Sequence, residues 1–401
     1  MTARFPSTNR HVVLFGATGF IGRWTAKELL DHGSAVTAAV RDLTAATELT
    51  RWLRDHGTNT TGFRVMPVQF RASGLGLGTS FLDAIRDSGT CDVINAAGAQ
   101  TFGMSTTEAV RANVESALAV AEFAATLPNL RRLVHLSGYR VGSQDQAAEP
   151  WSDDKRRRLY KELGAHEASK VEGDGVVQGR ANQLNIPLTI VNPATVTGHS
   201  GTGETNQVLG LAGTLQQLWR GELHMVAGSP RTFVPVVPVD YLARFLAMVP
   251  TDGGTRGRSY WVLDDNTPPL MDLLTVIGSH YQVRVPRFPI PVGIVKRLPA
   301  RLSGVEPETL SFLSSDRYPT HSAKSLAEKH GLEFPDTIPS LKRWADYLAL
   351  HHFSSTTKAQ SQEDRRLALA TRGQKPSPIA CRHILTQPPG ASHPSHPARN
   401  A

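Results

Sequence analysis

The chain of 401 residues contains two cysteines, Cys91 and Cys381, which are too few for a disulfide framework. No Cys-x-x-Cys pair and no Cys/His set at zinc-ligand spacing occurs. No stretch approaches the roughly 18–20 apolar residues that a membrane-spanning helix needs. The polar segment Met1–Arg10 lacks the hydrophobic region of a signal peptide. We therefore expect a cytoplasmic protein with no membrane partner and no bound metal.

The net charge of +8 is concentrated near the end of the chain rather than spread over it. Between Ser355 and Ala401 there are seven basic and two acidic side chains, which give this segment +5 of the total. The same segment is rich in Ser, Gln, Pro and His and shows no apolar periodicity, so we predict a disordered basic tail over 353–401. The body contains no recognised nucleic-acid-binding module, and we expect no nucleic-acid partner.

Short apolar runs alternate with helical patterns in the first half, which is typical of βαβ units. Strands are predicted at 11–15, 35–40, 63–70, 91–95, 131–137 and 187–191, and helices at 20–31, 43–55, 106–126 and 160–184. The fold class is α/β: a Rossmann-type doubly wound parallel sheet with a smaller C-terminal substrate domain. We predict an NADP-binding domain over 1–198 and a substrate-binding region over 199–352 that is partly interleaved with the sheet.

Two helices of the second region are predicted from local patterns. Apolar residues at helical spacing favour an amphipathic helix over 206–219. Asp240 precedes a second apolar run, so it is predicted to cap the helix 241–248 at its N-terminus.

A glycine pattern, Gly-x-x-Gly-x-x-Gly, follows the first predicted strand and opens the first predicted helix. Such a loop binds the pyrophosphate of a dinucleotide, because its glycines permit a tight turn and a close approach. The helix N-terminus adds free N–H donors and a positive dipole end. The predicted cofactor contacts are Gly16, Thr18, Gly19, Phe20, Ile21 and Gly22.

The second predicted strand is followed by Arg41 and Asp42. A carboxylate at this place binds the ribose 2′-hydroxyl of NAD, whereas a guanidinium accommodates the 2′-phosphate of NADP. Arg41 comes first, so the pattern favours NADP (NADPH), and Asp42 leaves NAD open.

These motifs, with others downstream, resemble the extended short-chain dehydrogenase/reductase superfamily over about Val12–Leu350. The matching segments are Asn95-Ala96-Ala97-Gly98, Arg111-Ala112-Asn113-Val114, Leu136-Ser137-Gly138, Asn192-Pro193-Ala194-Thr195-Val196-Thr197-Gly198 and Phe233–Asp240. Within the superfamily, Gly198–Glu204 is similar to the thioester-reductase-like branch, of the NAD(P)-binding, male-sterility type.

The resemblance implies roles for single residues. Ala96 and Ala97 pass beside the cofactor, and Pro193 and Val196 touch its nicotinamide side. Asn113 matches the structural asparagine of the superfamily. Ser137 matches the serine or threonine that faces the substrate oxygen.

The catalytic signature of the superfamily is Tyr-x-x-x-Lys on a helix, and here it departs from the pattern. Lys170 is present and would hold the nicotinamide ribose, but His166 stands where the tyrosine is expected. A cation one helical turn away lowers the pKa of a histidine, so His166 is predicted to be a neutral imidazole that polarises a carbonyl. Tyr139 or Tyr160 as the replacement acid remains an alternative.

The resemblance therefore implies an NADP-dependent reductase of a carbonyl or acyl-thioester substrate, with secondary metabolism as the expected setting. Its substrate would be a small molecule or a carrier-bound acyl group, and the oligomeric state is left open. The missing tyrosine leaves a non-catalytic NADP-binding sensor or scaffold as an alternative. A nucleotide-sugar epimerase or dehydratase is the third function that the resemblance leaves open. The basic run Lys155–Arg158 is interpreted as a solvated face, with docking of an acidic carrier protein or a coenzyme A phosphate as the alternative.

Overall fold

The computed structural model describes residues 10–354, apart from 79–81, 84, 86–89, 100–102, 144–150, 296, 298–309 and 311–312. The predicted tail lies outside the described residues from 355 onward. Within the described part, no helix is both long and apolar enough to cross a membrane.

The centre of the fold is a seven-stranded sheet in the order β10-β6-β5-β4-β1-β2-β3. Each neighbouring pair in it is parallel. Its strands are β1 Arg10–Phe15, β2 Ala35–Val40, β3 Phe63–Pro67, β4 Thr90–Asn95, β5 Leu130–Leu136, β6 Leu188–Pro193 and β10 Arg258–Val262. The strand order reverses between β1 and β4, which is where a doubly wound sheet opens a ligand crevice at its carboxyl edge. The predicted fold class is confirmed.

Helices cover the sheet, and short strands accompany the later part of the chain. The helices are α1 Phe20–Asp31, α2 Leu43–Asp55, α3 Thr106–Ala109, α4 Ser116–Ala125, α5 Asp153–Leu163, α6 Ala165–Gln183, α7 Leu211–Trp219, α8 Val239–Met248, α9 Leu270–Tyr281, α10 Val292–Val295, α11 His321–Lys329 and α12 Thr337–Leu350. The short parallel pairs are β7 Thr195–Thr197 with β9 Val236–Pro238, and β8 Val226–Ala227 with β11 Pro289–Ile290.

The two sheet faces carry separate apolar cores, because alternate strand residues point to opposite sides. Val12 and Leu14 belong to the core that includes α1 and α8, whereas Val13 and Phe15 belong to the core beneath α4. A third core, with Trp344 at its centre, joins α7, α9 and α12 in the later part of the chain.

The predicted helix over 160–184 is wrong, because the chain forms two helices separated at Gly164. This residue has φ of +83°, a left-handed value that glycine adopts readily and other residues rarely do. The break makes Ala165 the first residue of α6, and His166 therefore lies in its first turn. Similarly, the predicted helix over 106–126 contains a π-helical turn, Val110–Glu115, between α3 and α4.

Asp240 does not cap α8, contrary to the prediction. The helix starts at Val239, two residues before the predicted start at 241, and Asp240 lies in its first turn. Its carboxylate accepts hydrogen bonds from the backbone N–H (2.7 Å) and the hydroxyl (2.6 Å) of Ser200. The loop that follows β7 is thereby fixed to α8.

The same loop is also fixed to the first half of the chain. Glu204 accepts a hydrogen bond from Trp52 Nε1 at 2.9 Å, and its other oxygen lies 2.9 Å from His56 Nε2. His199 stacks on Trp24, with ring centroids 4.7 Å apart. We call residues 199–206 the clamp loop, because they hold α1 and α2 against the later part of the chain.

We expect Gly173→Ala to lower the free energy of unfolding by about 1–3 kcal/mol, since the new methyl group overpacks the interior. A Cβ at this position would lie 2.7 Å from the Asn113 carbonyl oxygen in the π-helical turn. Gly213→Ala in α7 is the control, because nothing lies within 4 Å of a Cβ at this position. The higher helix propensity of alanine should raise the free energy of unfolding there by about 0.5–1 kcal/mol. Urea denaturation measures both, and a loss of equal size in the two variants would contradict the packing argument.

Candidate cofactor and catalytic site

The glycine loop after β1 is shaped by two close backbone contacts. Gly16 has φ of +77°, and a Cβ on it would lie 2.5 Å from the Ala96 carbonyl carbon. A Cβ on Gly22 would lie 2.0 Å from the Gly16 carbonyl oxygen. Gly19 differs from both, since its Cβ would meet only that same oxygen, at 3.3 Å. The first and third glycines thus serve packing, and the second leaves its surroundings open.

The N-terminus of α1 points its first-turn donors out of this loop. Gly19 is the N-cap; it provides no side-chain cap, and the first turn contains no acidic residue. Phe20 and Ile21 are buried, which fixes the turn against the sheet. Arg23, one turn into the helix, donates to the Thr18 carbonyl oxygen at 3.3 Å. An uncapped helix start of this kind suits an anion.

At the end of β2, the two candidate selectors of the cofactor have different surroundings. Arg41 is exposed. Asp42 is the N-cap of α2, and its carboxylate accepts from the Thr44 N–H at 2.8 Å. The Asp42 carboxylate is therefore engaged in the fold, whereas the Arg41 guanidinium lies at the surface.

The segment after β4 is held on both sides. The Ala96 N–H donates to the Phe15 carbonyl oxygen at 3.0 Å, and the Ala97 N–H donates to Asn95 Oδ1 at 3.1 Å. Asn113 accepts from the Ala99 N–H and donates to the Ser169 hydroxyl, both at 2.8 Å. Asn113 thus joins this segment to the residue that precedes Lys170, consistent with the structural role implied by the resemblance.

The ends of β5 and β6 bring the remaining predicted residues to the same edge. The Ser137 N–H donates to the Val191 carbonyl oxygen at 2.9 Å. Ser137 is buried, and its hydroxyl finds no hydrogen-bond partner within the described residues. Pro193 ends β6 and accepts from the Tyr139 N–H at 3.0 Å, and Val196 follows in β7.

His166 and Lys170 lie one turn apart at the start of α6. Burial and, second, the Lys170 charge lower the pKa of His166 to about 3. The helix N-terminus acts in the same direction, because its dipole disfavours a cation. Burial also lowers the pKa of Lys170, and the charge of Asp174 opposes that effect. A neutral imidazole at His166 follows from this arrangement, as the sequence predicted, although burial is a larger cause than the lysine charge.

Residues 14–246 match the family model described as "Male sterility protein", which is more than half of the chain. The chain belongs to this family. The predicted membership in the extended short-chain dehydrogenase/reductase superfamily, nearest its thioester-reductase-like branch, is confirmed. The male sterility family is NAD(P)-binding, which agrees with the loop described above.

This male sterility family member also resembles named proteins. It is 30% identical over 217 residues, 50% of the chain, to peramine synthetase A of Epichloe festucae (strain Fl1), and it spans 8% of that protein's length. The terminal R domain from the myxalamid PKS-NRPS biosynthetic pathway has a similar fold, with a TM-score of 0.66 at 17% identity over 88% of this chain and 94% of that one. A thiolation-reductase di-domain from an archaeal non-ribosomal peptide synthetase gives a TM-score of 0.64 at 17% identity over 86% and 76%.

Tyr139 and Tyr160, the two alternatives for the replacement acid, are both buried. The Tyr160 hydroxyl donates to Glu172 Oε2 at 2.9 Å, and Arg156 binds the same carboxylate through Nε at 3.0 Å. Burial and the Glu172 charge raise the pKa of Tyr160. Burial also raises the pKa of Tyr139, which packs edge-on against Tyr318. Both phenols are therefore weaker acids than a free tyrosine. The Tyr160 hydroxyl is also engaged already, as the donor of a hydrogen bond to Glu172.

The basic run at 155–158 lies on α5 and is partly engaged inside the protein. Arg156 binds Glu172, Arg157 pairs with Asp154, and Lys155 lies over the Trp151 ring at 4.9 Å. Arg158 is exposed. The run is thus less available for docking than its sequence indicates.

Among the described residues, no group of three or more His, Cys, Asp or Glu side chains is arranged to hold a metal ion.

The lowered pKa of His166 predicts a distinct acid sensitivity. The folded state keeps His166 neutral below the ordinary pKa of 6.5. The contribution of His166 to the free energy of unfolding is therefore fully present above pH 6.5 and is lost as the pH falls from 6.5 towards about 3. We expect stability to fall less steeply in His166→Gln, by up to about 1.4 kcal/mol per pH unit. Denaturation curves between pH 7 and 4 test this, and parallel profiles would show that His166 is not held neutral.

Proposed function

We propose that this protein is an NADPH-dependent reductase of an acyl thioester or related carbonyl compound, in secondary metabolism. The observation that carries the proposal is the placement of His166 and Lys170 on the first turns of α6. This helix packs over the carboxyl end of β5, as the 3.2 Å contact between His135 and Asp174 shows. Ser137 follows β5 directly. This placement supports the assignment of His166, Lys170 and Ser137 as the polar groups for carbonyl reduction, because Ser137 and the glycine loop both follow the carboxyl ends of parallel strands in a member of an NAD(P)-binding family.

NADPH fits the residues present. The uncapped start of α1, with Gly19 open beside it, offers N–H donors to a pyrophosphate. The exposed Arg41 provides a guanidinium for the 2′-phosphate. One oxygen of the Asp42 carboxylate accepts from the Thr44 N–H, and the proposal assigns Asp42 no contact with the ribose. Ala96, Ala97, Pro193 and Val196 complete the proposed contacts.

NADPH, when bound, supplies a hydride from its dihydronicotinamide ring. Lys170 would hold the nicotinamide ribose of the bound nucleotide. His166 remains neutral at pH 7 and donates an N–H to the substrate oxygen, which gains negative charge as the carbonyl carbon is reduced. The Ser137 hydroxyl, which has no partner within the described residues, is the second donor. Two preorganised donors at one oxygen are the usual means of stabilising such charge.

A carrier-bound acyl group is the proposed form of the substrate. The support comes from the fold similarity to a terminal R domain and to a thiolation-reductase di-domain, and from the match to a short part of a much longer synthetase. A cytoplasmic location is proposed because the chain has two cysteines, of which Cys91 is a buried free thiol.

We expect Arg41→Ala to weaken NADPH binding by about 10–100-fold, because a charge-assisted bond to the 2′-phosphate is lost. NADH binding should change little, since NADH has no such phosphate. Fluorescence titration with both nucleotides measures the effect. Arg51→Ala on the exposed side of α2 is the control. Equal loss for NADPH and NADH in the Arg41 variant would place the guanidinium away from the 2′-phosphate.

We expect His166→Ala to lower kcat by about 10²–10³-fold, the usual cost of removing one hydrogen-bond donor to a developing oxyanion. His166→Gln keeps an N–H donor and should lose less. The assay follows NADPH oxidation with a panel of carbonyl and acyl-thioester substrates, and NADPH binding is measured in parallel. Unchanged turnover in His166→Ala would remove this residue from the mechanism.

A non-catalytic NADPH-binding sensor or scaffold is the second candidate. Two observations favour it: position 166 holds a histidine instead of a tyrosine, and the Tyr160 hydroxyl donates to Glu172. Neither position 166 nor position 160 therefore provides an activated phenol. Tight NADPH binding without turnover of any substrate in the panel would select this candidate over the reductase.

A further inference from the structure

The clamp loop reaches the glycine loop through a line of direct contacts, which the proposed mechanism does not use. Arg23 donates to the Thr18 carbonyl oxygen, and its guanidinium lies 5.4 Å from the centre of the Trp52 ring. Trp52 Nε1 in turn donates to Glu204 Oε1 at 2.9 Å. Because a guanidinium only donates, Asn206 directs its amide oxygen to Arg23, 2.9 Å from Nη2. The backbone of the glycine loop is thereby tied to the clamp loop.

The contact between His56 and Glu204 requires an added proton. His56 Nδ1 lies 2.8 Å from the Trp52 carbonyl oxygen, which can only accept, so Nδ1 carries a proton. His56 Nε2 lies 2.9 Å from Glu204 Oε2, and a carboxylate is likewise only an acceptor. Without a second proton, two lone pairs would face each other at this distance. Because an imidazole is a stronger base than a carboxylate, His56 holds this proton, and the pair is an imidazolium with a carboxylate.

His199, the histidine of the clamp loop itself, is fixed in the opposite state. Its Nδ1 accepts from the backbone N–H groups of Gly201 and Thr202, both at 3.1 Å, so this nitrogen carries no proton. Burial lowers the pKa of His199, which acts in the same direction. The ring that stacks on Trp24 is therefore neutral. Of these two histidines, His56 is the one whose contacts depend on an added proton.

The other ionisable side chains around the pair keep one charge state between pH 6 and 9. They come from α1, α2, α8 and α12, and they are Arg23, Glu48, Asp240, Arg244, Arg343 and Tyr347. Carboxylates and guanidinium groups stay charged over this range. Burial raises the pKa of Tyr347, which therefore stays neutral. A change in the clamp over this range is then a change at the contact between His56 and Glu204.

We propose that Glu204 and His56 are positioning residues for the glycine loop, and that they hold it only while His56 carries its second proton. They act through Trp52 and Arg23. The contacts of Ser200 fasten the clamp loop to α8 and α12 without such a proton, so the contact with α2 is the proton-dependent part. The inference rests on the proposed function for what the glycine loop binds, whereas the protonated pair concerns the protein alone.

The first test needs no nucleotide and measures urea denaturation of the full chain between pH 6 and 9. The pair stabilises the folded state while His56 is charged, and this contribution is lost as the pH rises. His56→Gln keeps an NH₂ donor but does not titrate. It should therefore lower the equilibrium constant of folding by about 3–10-fold near pH 6 and by little near pH 9.

Glu204→Gln is the second variant of this test, because its amide oxygen can still accept from Trp52 while its charge is removed. It should show the same trend, and it answers the question alone if His56→Gln does not fold. A loss of equal size at pH 6 and pH 9 would show that the contact holds no added proton, and would overturn the inference.

The second test measures the binding of NADPH and NADH by fluorescence at pH 6.5 and 8.5. Both nucleotides are used because they share the pyrophosphate, and NADH has no 2′-phosphate whose own ionisation would interfere. Wild type should bind each more weakly at pH 8.5, where the glycine loop loses its hold. The ratio of the two affinities should be about 3–10-fold smaller in His56→Gln. A ratio equal to that of wild type would overturn the inference while the proposed function stands.

His280→Gln is the matched control, because His280 also pairs with a carboxylate but joins α9 to α12. Its Nε2 lies 2.6 Å from Asp346 Oδ1. The variant should change stability and keep the wild-type ratio of nucleotide affinities. A change as large as in His56→Gln would overturn the inference, since any lost pair of this kind would then have the same effect.

Hydrogen exchange of residues 16–22 separates failure of the inference from failure of the proposed function. If wild type binds neither nucleotide, the proposed function fails, and exchange without nucleotide takes the place of the second test. After correction for the intrinsic effect of pH on exchange, protection of these amides should fall between pH 6.5 and 8.5 in wild type and stay level in His56→Gln. The same fall in both proteins would overturn the inference.

Discussion

The close packing of backbone on backbone around the glycine loop is the constraint on which the site depends. The carbonyl of Gly16 lies where a side chain on Gly22 would be, and Gly16 itself lies against Ala96 after β4. These contacts press the start of α1 onto the sheet at the point where the strand order reverses. The uncapped start of α1 therefore lies at the carboxyl edge of the sheet, and the other candidate residues are placed relative to that edge.

Much of this arrangement could be predicted from the sequence, because local patterns determine it. The periodicities of 20–31, 35–40 and 43–55 give α1, β2 and α2 their observed bounds. The glycine spacing identified the loop, and the Tyr-x-x-x-Lys frame identified Lys170 and the unusual His166. Each of these signals lies within a few consecutive residues, where backbone preference and side-chain spacing act directly.

The features that sequence reasoning missed depend on contacts between distant segments. Asp240 looked like a helix cap, yet its carboxylate binds Ser200 of the clamp loop, 40 residues earlier. The predicted helix over 206–219 begins only at Leu211. The contact between His135 and Asp174 depends on how α6 packs on β5, which no local pattern shows. The effect of burial on the pKa of His166 likewise required the packed structure.

The break at Gly164 has a further consequence for how this protein family member can vary. A continuous helix would rotate His166 by about 100° for each residue inserted before it. Because α5 ends before Gly164 and α6 begins at Ala165, the rotation of α6 is set by its own packing on α4 and on the π-helical turn. Residues added within α5 would therefore not turn the face that carries His166 and Lys170 away from the sheet. The contacts of Arg156 and Tyr160 with Glu172 would move instead, so the exposed surface of α5 can change while α6 keeps its alignment.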